Sequence, residues 1–311
     1  MVQLRTLSDE PISALAFGTM QFGGGSDAKT SRAVFDACRA VGINTFDCAH
    51  IYCEGRSEEL LGAFAKPHRD ALFLTTKGGY TGGASAANLT EQFEISLSRL
   101  KSDFVDLYFL HRFDPETPLD ETLGWMALEQ RKGRIRFLGL SNFAAWQVMK
   151  AEGVAASLGT RIDAIQPMYN LVKRQAEVEL LPMALDQDIA VFPYSPLGGG
   201  LLSGKYTADD TDGRLASDTR YRARYGEEWM WDTAKELTEL ARERGEHPAR
   251  FAVAWAAHHP AVTAPLISAR TVEQLRPSLT PLTLSDEDYA MVTALSRTPP
   301  PATDRIEEQA R

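Results

Sequence analysis

The feature that most constrains the fold of this chain is a regular alternation of short apolar runs with longer amphipathic segments. The apolar runs are rich in β-branched and aromatic residues, and eight of them are separated by segments of helical character. Parallel strands need a crossover of a dozen or more residues between them, so the alternation predicts a parallel sheet. We predict strands at 14–18, 43–47, 72–76, 105–110, 135–140, 164–166, 190–193 and 264–267, and helices at 31–41, 57–64, 87–100, 119–133, 145–158 and 177–187.

Eight strands favour a closed barrel over an open sheet. An open dinucleotide-binding sheet carries G-x-G-x-x-G after its first strand, whereas this chain has Gly18-Thr-Met-Gln-Phe-Gly-Gly-Gly25 there. The 311 residues suit one α/β domain, a (β/α)₈ TIM barrel over 1–311, of which roughly 250 residues form the barrel. The Asp9-Glu10-Pro11 turn predicts an N-terminal β-hairpin across the barrel floor.

Two further segments depart from the alternation. Residues 196–227 are rich in glycine and lack a clean helical period, which predicts a long, functional loop over the C-terminal face of the barrel. The polar tail at 299–311 is expected to be mobile.

Charge and composition narrow the class of partner. The 33 Lys and Arg against 42 Asp and Glu give a net charge of −9, which argues against a nucleic-acid-binding or anionic membrane-binding surface. We expect no membrane span and no secretory signal, because no apolar run of about 18 residues and no apolar leader occur. Three cysteines, Cys38, Cys48 and Cys53, cannot all pair, so a reducing compartment, the cytoplasm, is expected.

Four side chains with chemical capability fall at one end of three neighbouring predicted strands. Asp47 ends the second strand, Lys77 follows the third, His111 follows the fourth, and Tyr52 lies in the loop after the second. Neighbouring strands are about 4.8 Å apart, so these groups can meet. Taken singly, each has an ordinary interpretation as a turn residue, a solvated charge, a loop histidine or a packed aromatic. Their joint occurrence at one end of a barrel, where barrel enzymes carry their catalytic residues, predicts an active site.

The four side chains suit carbonyl reduction. Hydride addition to a carbonyl leaves an alkoxide that needs a proton, and a tyrosine with a reference pKa of about 10 is a weak acid. We expect the Lys77 ammonium to lower the pKa of Tyr52, and the Asp47 carboxylate to hold Lys77 in place. The His111 imidazole can donate a hydrogen bond to the carbonyl oxygen.

A series of motifs between about residues 16 and 279 resembles the aldo-keto reductase family, most closely its bacterial and potassium-channel-β-like branches. The resemblance implies an NADPH-dependent enzyme that reduces aldehydes or ketones to alcohols, with Asp47, Tyr52, Lys77 and His111 as its catalytic tetrad. The motifs are Phe46-Asp47-x-Ala49-x-x-Tyr52, Gly55-Arg56-Ser57-Glu58-x-x-Leu61-Gly62, Thr76-Lys77, Asp106-Leu107-Tyr108-x-x-His111, Gly139-Leu140-Ser141-Asn142-Phe143, Ile165-Gln166-x-x-Tyr169-Asn170, Tyr194-Ser195-Pro196-Leu197-x-Gly199-Gly200 and Ala269-Arg270-Thr271-x-Glu273-Gln274-Leu275.

The resemblance also implies how the cofactor is held. Residues of three kinds are implicated: those that bind the nicotinamide carboxamide, a tyrosine that stacks on the ring, and a loop that folds over the pyrophosphate. At the adenosine end, Arg270 is expected to begin a helix and to bind a 2′-phosphate, which favours NADPH over NADH. Ser268 stands there where the family often has glycine. The implied set is Ser141, Asn142 and Gln166 for the carboxamide, Tyr194 for the ring, Ser195, Leu197, Gly199 and Gly200 for the pyrophosphate, and Ser268, Arg270 and Gln274 at the adenosine end.

The sequence leaves two alternative functions open. Lys77 could instead be the nucleophile of a Schiff-base aldolase, or the chain could be a cofactor-sensing regulatory subunit with little turnover. Cys48-x-His50-x-x-Cys53 lacks the four ligands of a zinc site, so no metal is expected. The predicted partner is a small carbonyl or alcohol substrate, and the chain is expected to be a monomer or a weak homo-oligomer.

The loops after the first, fourth and seventh strands are predicted to select the substrate, at residues 20–26, 112–117 and 207–225. Their aromatic residues suit aryl aldehydes, and their arginines could hold an acid or a phosphate. The side chains in question are Met20, Phe22, Phe113, Tyr221, Arg222, Arg224 and Tyr225.

Overall fold

The computed structural model describes residues 3–206, 215, 218–280, 282–303 and 305. Eight parallel strands form one sheet in the order β7-β6-β5-β4-β3-β2-β1-β8. A parallel bridge between Tyr194 and Leu266, with the Leu266 N–H donating to the Pro193 carbonyl at 2.9 Å, joins the two ends. The predicted (β/α)₈ barrel is confirmed. The strands are β1 Ala16–Gly18, β2 Thr45–Asp47, β3 Phe73–Gly78, β4 Val105–Leu110, β5 Ile135–Ser141, β6 Ala164–Gln166, β7 Ala190–Val191 and β8 Leu266–Ile267.

Helices lie between the strands, and the boundaries of the six predicted ones agree with the structure to within three residues. Several are fixed by capping side chains that accept from free backbone N–H groups of the first turn. Asp27 accepts from Thr30, Ser85 from Asn88, and Ser285 from Asp288. The helices are α1 Ala28–Ala40, α2 Arg56–Ala65, α3 Ala86–Leu100, α4 Leu119–Arg131, α5 Ala145–Ser157, α6 Leu180–Asp186, α7 Thr219–Arg224, α8 Glu228–Glu243, α9 Pro248–His258, α10 Val272–Leu279 and α11 Asp286–Ala294.

The predicted N-terminal hairpin is present beneath the barrel. Arg5 and Pro11 form an antiparallel bridge, and the Thr6 N–H donates to the Glu10 carbonyl at 2.9 Å. Leu4 packs into an apolar cluster with Phe73 and Phe109 of neighbouring strands. This cluster fills the N-terminal end of the barrel interior, so an active site is expected at the opposite, C-terminal end.

The segment at 196–227 contains helical structure that the sequence pattern did not predict. A 3₁₀ helix spans Gly198–Ser203, and α7 spans Thr219–Arg224 with its first turn capped by the Asp218 carboxylate. The expectation of an irregular loop was wrong for these parts because local capping and packing form turns too short to show a helical period. Residues 207–214 and 216–217 lie outside the described residues, as do residue 304 and residues 306–311 of the tail predicted to be mobile.

No helix in the described part of the chain is both long enough and apolar enough to cross a membrane.

Candidate active site

A buried ion pair lies at the C-terminal end of the barrel. The Lys77 Nζ, on β3, is 2.5 Å from the Asp47 Oδ1 at the end of β2, and it also donates to the Cys48 carbonyl at 2.6 Å. Lys77 is 0% exposed and Asp47 is 3% exposed. The second carboxylate oxygen of Asp47 accepts from the Thr75 hydroxyl at 2.6 Å. A charge pair this deep is tolerated because each partner is matched in charge and hydrogen-bonded.

Tyr52 lies over this pair, in the loop after β2. Its ring centroid is 5.1 Å from the Lys77 Nζ, and the ring is partly buried. Burial, followed by the negative charge of Asp47, raises the pKa of Tyr52 well above its usual range. This direction is opposite to the lowering expected from Lys77, because the Lys77 charge is already matched by Asp47 while burial penalises the phenolate. The phenol is therefore protonated at neutral pH.

His111 completes the group of four at the end of β4. Its ring centroid is 5.9 Å from that of Tyr52, in an edge-to-face arrangement. Burial, followed by the positive charges of Lys77 and Arg112, lowers the pKa of His111 to about 3. The imidazole is neutral at physiological pH, and its buried Nδ1 has no hydrogen-bond partner among the described residues. The four side chains that the sequence analysis singled out thus meet at one site.

The backbone of the Tyr52 loop has an unusual conformation that no sequence motif predicts. Cys53 and Glu54 have φ values of 49° and 57°, and Gly55 follows at 91°. The left-handed region is unfavourable for residues with a Cβ, by roughly 1–2 kcal/mol each. The turn that carries Tyr52 therefore has to be held by contacts from elsewhere.

Those contacts come from Arg99 on α3, and we call Arg99 and Glu58 together the loop clamp. The Arg99 Nη1 donates to the His50 carbonyl at 3.1 Å and lies 3.3 Å from the Glu58 Oε2. Its guanidinium packs so closely on Gly55 that a Cβ there would lie 2.1 Å from Cζ. The fully buried Glu58 accepts from the Thr76 hydroxyl at 2.6 Å, and Thr76 immediately precedes Lys77. The Glu58 motif was visible in the sequence, but its partner Arg99 was not.

Ser141, Asn142 and Gln166 are connected to the four residues by hydrogen bonds. The Gln166 Nε2 donates to the Asp47 Oδ2 at 3.0 Å, and the Ser141 hydroxyl donates to the Gln166 carbonyl at 3.1 Å. The Asn142 Nδ2 donates to the His111 carbonyl at 3.0 Å. The Tyr194 hydroxyl donates to the Asn142 Oδ1 at 2.7 Å. Polar groups at the ends of β5 and β6 thus lie beside Asp47 and His111.

The implied pyrophosphate loop forms a tight turn beyond β7. Ser195, Gly199 and Gly200 all have positive φ, and Leu197 precedes the Gly198–Ser203 turn. A Cβ at Gly199 would lie 2.6 Å from the Tyr221 ring, so the packing at this position requires glycine. The absence of a Cβ would also let a phosphate approach the backbone closely.

The residues implied at the adenosine end lie together after β8. Ser268 and Arg270 are exposed, and the Arg270 Nε is 3.4 Å from the Gln21 Oε1. The Gln274 Oε1 accepts from the Arg270 backbone N–H at 3.2 Å. The helix begins at Val272 with Thr271 as its cap, so the expectation that Arg270 begins the helix was wrong by two residues. The threonine hydroxyl outcompetes arginine as the cap because it accepts from the Gln274 N–H.

The Cys48-x-His50-x-x-Cys53 motif is dispersed in the structure. The Cys48 Sγ is 3.1 Å from the Ser57 hydroxyl, the His50 Nδ1 is 3.3 Å from the Ser96 hydroxyl, and the Cys53 Sγ donates to the Met20 carbonyl at 3.2 Å. In the described part of the chain, no three His, Cys, Asp or Glu side chains are grouped as metal ligands. All three cysteines are free thiols.

Comparison with known proteins gives a consistent assignment. The model of the aldo/keto reductase family matches residues 14–297. The uncharacterized oxidoreductase YrpG of Bacillus subtilis is 36% identical over 297 residues, covering 88% of each chain. The aldo-keto reductase YhdN of the same organism is 33% identical, covering 94% of this chain and 93% of that protein. A probable voltage-gated potassium channel subunit beta of Arabidopsis thaliana is 32% identical, covering 88% and 91%.

Among solved structures, a glycerol dehydrogenase from Gluconobacter oxydans superposes with a TM-score of 0.80 at 28% identity, covering 94% of both chains. The family match spans most of the chain and includes every strand that contributes to the site. The chain belongs to the aldo/keto reductase family of oxidoreductases.

Proposed function

We propose that the chain is an NADPH-dependent reductase that converts aldehydes or ketones to alcohols, with Tyr52 as the proton donor. The observation that carries this proposal is the position of the protonated Tyr52 phenol between the buried Lys77–Asp47 pair and the neutral imidazole of His111. A weak acid, a fixed positive charge and a neutral hydrogen-bonding ring at one point suit protonation of a developing alkoxide.

Each side chain has a distinct role in this proposal. Tyr52 donates its proton as negative charge develops on the substrate oxygen, and Lys77 then stabilises the phenolate that remains. Asp47 matches the charge of Lys77 and holds its ammonium in place through the buried ion pair. His111, being neutral, orients the carbonyl oxygen without competing as a second acid. The nicotinamide cofactor supplies the hydride when it is bound.

The residues around the site fit such a cofactor. The amide and hydroxyl groups of Ser141, Asn142 and Gln166 project at the ends of β5 and β6 beside Asp47 and His111, as recognition of a carboxamide requires. The exposed guanidinium of Arg270, next to the N-terminus of α10, suits an anionic phosphate. The positive-φ glycines after β7 allow a backbone to approach a pyrophosphate closely.

A second candidate function, a cofactor-sensing role, is supported by one of the relatives. A relative at 32% identity is named a probable channel subunit, so a cofactor-sensing role with little turnover is a second candidate. The aldolase alternative is disfavoured, because the Lys77 Nζ is fully buried and donates to both Asp47 and Cys48, whereas a Schiff-base nucleophile must be an accessible free amine.

The test is NADPH oxidation with a panel of aldehydes, ketones and aldoses. Tyr52→Phe should lower kcat by about 10²–10⁴-fold and leave the NADPH dissociation constant nearly unchanged, because the hydroxyl acts on the substrate oxygen. Tyr108→Phe is the matched control, since the Tyr108 hydroxyl is buried on the same barrel and has no hydrogen-bond partner among the described residues. Turnover by Tyr52→Phe at the unmodified rate would contradict the proposed proton donor, and no turnover by the unmodified chain would favour the sensing role.

A further inference from the structure

Arg112, directly after His111, lies in an arrangement that the proposed reaction does not use. Its guanidinium carbon is 4.7 Å from the ring centroid of Tyr80, and the Tyr80 ring is 4.9 Å from the His111 ring. Tyr80 follows β3 and Arg112 follows β4, so two loops bring a guanidinium, a phenol ring and the His111 imidazole together beside Tyr52, with the two rings tilted by 58°.

This arginine is exposed and forms no ion pair among the described residues. The acid nearest in sequence, Asp114, joins the two loops, since it accepts from the Ala84 N–H at 2.8 Å and the Thr117 hydroxyl at 2.6 Å. The Thr117 hydrogen bond lowers the pKa of Asp114 and the charge of Arg112 helps to lower it, but the Arg112 and Asp114 side chains do not form an ion pair. An arginine held by a cation–π contact keeps five N–H donors that can bind an anion. Arg112 is positioned by Tyr80, and its side chain forms no hydrogen bond or ion pair among the described residues, so it is available to bind an anion.

The position of Arg112 in the barrel separates it from the proposed cofactor phosphates. The residues that suit the cofactor follow β5, β6, β7 and β8, whereas Arg112 and Tyr80 follow β4 and β3 on the other half of the rim. An anion at Arg112 is thus expected on the substrate side.

The surface next to Arg112 is aromatic. The Phe113 ring lies 5.4 Å from that of Phe143 and 6.0 Å from that of Trp146, and Trp146 is 62% exposed. A large exposed indole at the mouth of a site suits contact with a flat apolar group.

We propose that Arg112, held on Tyr80, binds an anionic group of the substrate, so that the substrate is a flat or aromatic carbonyl compound that carries a carboxylate or a phosphate remote from its carbonyl. This rests on the proposed reductase activity for its reaction, but the binding of the anion does not depend on turnover.

The experiment compares 4-carboxybenzaldehyde, 4-formylphenyl phosphate and the uncharged methyl 4-formylbenzoate with NADPH. The unmodified enzyme should prefer at least one anionic aldehyde over the ester by 10-fold or more in kcat/KM. Arg112→Gln should lower that preference by about 10–100-fold, as expected for a charge-assisted hydrogen bond of about 1.5–3 kcal/mol, and should leave the ester nearly unaffected. Arg112→Lys should retain part of the preference. The anion for which Arg112→Gln loses more identifies the chemical group.

Arg297→Gln is the matched control, because Arg297 is also exposed and lies over an aromatic ring, that of Trp229, at 5.1 Å, but follows α11 and is outside the loops predicted to select the substrate. An equal loss of preference in Arg297→Gln, or an unmodified enzyme without preference for either anion, would overturn the proposal.

Calorimetric titration with 4-(hydroxymethyl)benzoate and its methyl ester tests binding without turnover. If the unmodified chain binds the acid better than the ester, and Arg112→Gln abolishes this preference, the anion subsite is supported. This holds even if no aldehyde is reduced, and in that case only the proposed reductase activity is contradicted. Equal binding of acid and ester alongside measurable ester reduction would remove the subsite and leave the proposed function standing.

Discussion

The Lys77 Nζ and the Asp47 Oδ1 lie 2.5 Å apart in the barrel, with almost no exposure of either side chain to solvent. They come from β3 and β2, neighbouring strands in register, so the sheet itself sets their separation. Because the pair is buried, removal of one charge should affect the stability of the fold differently from removal of both charges.

Lys77→Met should separate stability from activity. It leaves the Asp47 carboxylate buried without its cation, which should lower the free energy of unfolding by about 3–5 kcal/mol. The double variant Asp47→Asn/Lys77→Met removes both charges and should recover much of this loss, but both variants should lose at least about 10²-fold in kcat. Urea unfolding and steady-state kinetics provide the two measurements. A double variant no more stable than Lys77→Met would show that the pair does not act through its charges.

Arg270→Ala should change the choice of cofactor. If the exposed guanidinium binds a 2′-phosphate, its loss should weaken NADPH binding by about 10–100-fold and leave NADH binding nearly unchanged. Arg276→Ala, on the helix that follows Arg270 and also exposed, is the control. Calorimetric titration measures the dissociation constants of both cofactors. An equal loss of affinity for NADPH and NADH would exclude recognition of the phosphate by Arg270.

The loop clamp should matter for catalysis more than for cofactor binding. Arg99→Met removes the donor to the His50 carbonyl and leaves Glu58 buried without its cation, so the left-handed turn after Tyr52 loses its support. We expect kcat to fall by about 10-fold and the free energy of unfolding by about 2–4 kcal/mol, with little change in the NADPH dissociation constant. Arg99→Lys should recover part of kcat, because a lysine restores the charge but not the forked geometry. Unchanged kcat in a folded Arg99→Met enzyme would contradict a positioning role.

Asp163, just before β6 and therefore away from the site, predicts a pH dependence of stability. Burial raises the pKa of Asp163 to about 6, above the unfolded value of about 3.9. Between these values the folded state binds more protons, so this group makes stability fall as pH rises through that window. Asp163→Asn, whose Oδ1 can still accept from the Leu138 N–H, should be more stable than the unmodified chain at pH 7.5 by about 1–2 kcal/mol. The advantage should shrink toward pH 4. Urea unfolding at both pH values measures it, and an advantage that is equal at both would show that ionisation of Asp163 is not its origin.

Much of the site could be predicted from the sequence because it follows from strand order. In a parallel barrel all strands end on one face, so Asp47, Lys77 and His111 at the ends of successive strands had to meet there once the alternation was recognised. The polar residues Ser141 and Gln166 at the ends of β5 and β6 follow by the same argument. Neither conclusion needs any side-chain geometry.

The remaining features depend on contacts between residues distant in the chain, which local patterns do not encode. Arg99 is 47 positions after Tyr52 and belongs to a helix whose sequence shows only its amphipathic face, yet it holds the turn after Tyr52. The short helix Thr219–Arg224 has no recognisable period because it forms through a cap and packing. The direction of the Tyr52 pKa could not be predicted, because the sequence supplies the charges but not the burial.

The sequence by itself therefore determined the architecture and which residues gather at the end of the barrel, since hydrophobic periodicity and strand order follow from local spacing alone. Only the tertiary structure decided how deep each charge lies and what it contacts. Those two properties explain why Tyr52 is protonated, why His111 is neutral and why Arg112 forms no ion pair among the described residues, because desolvation and pairing depend on neighbours brought together by folding.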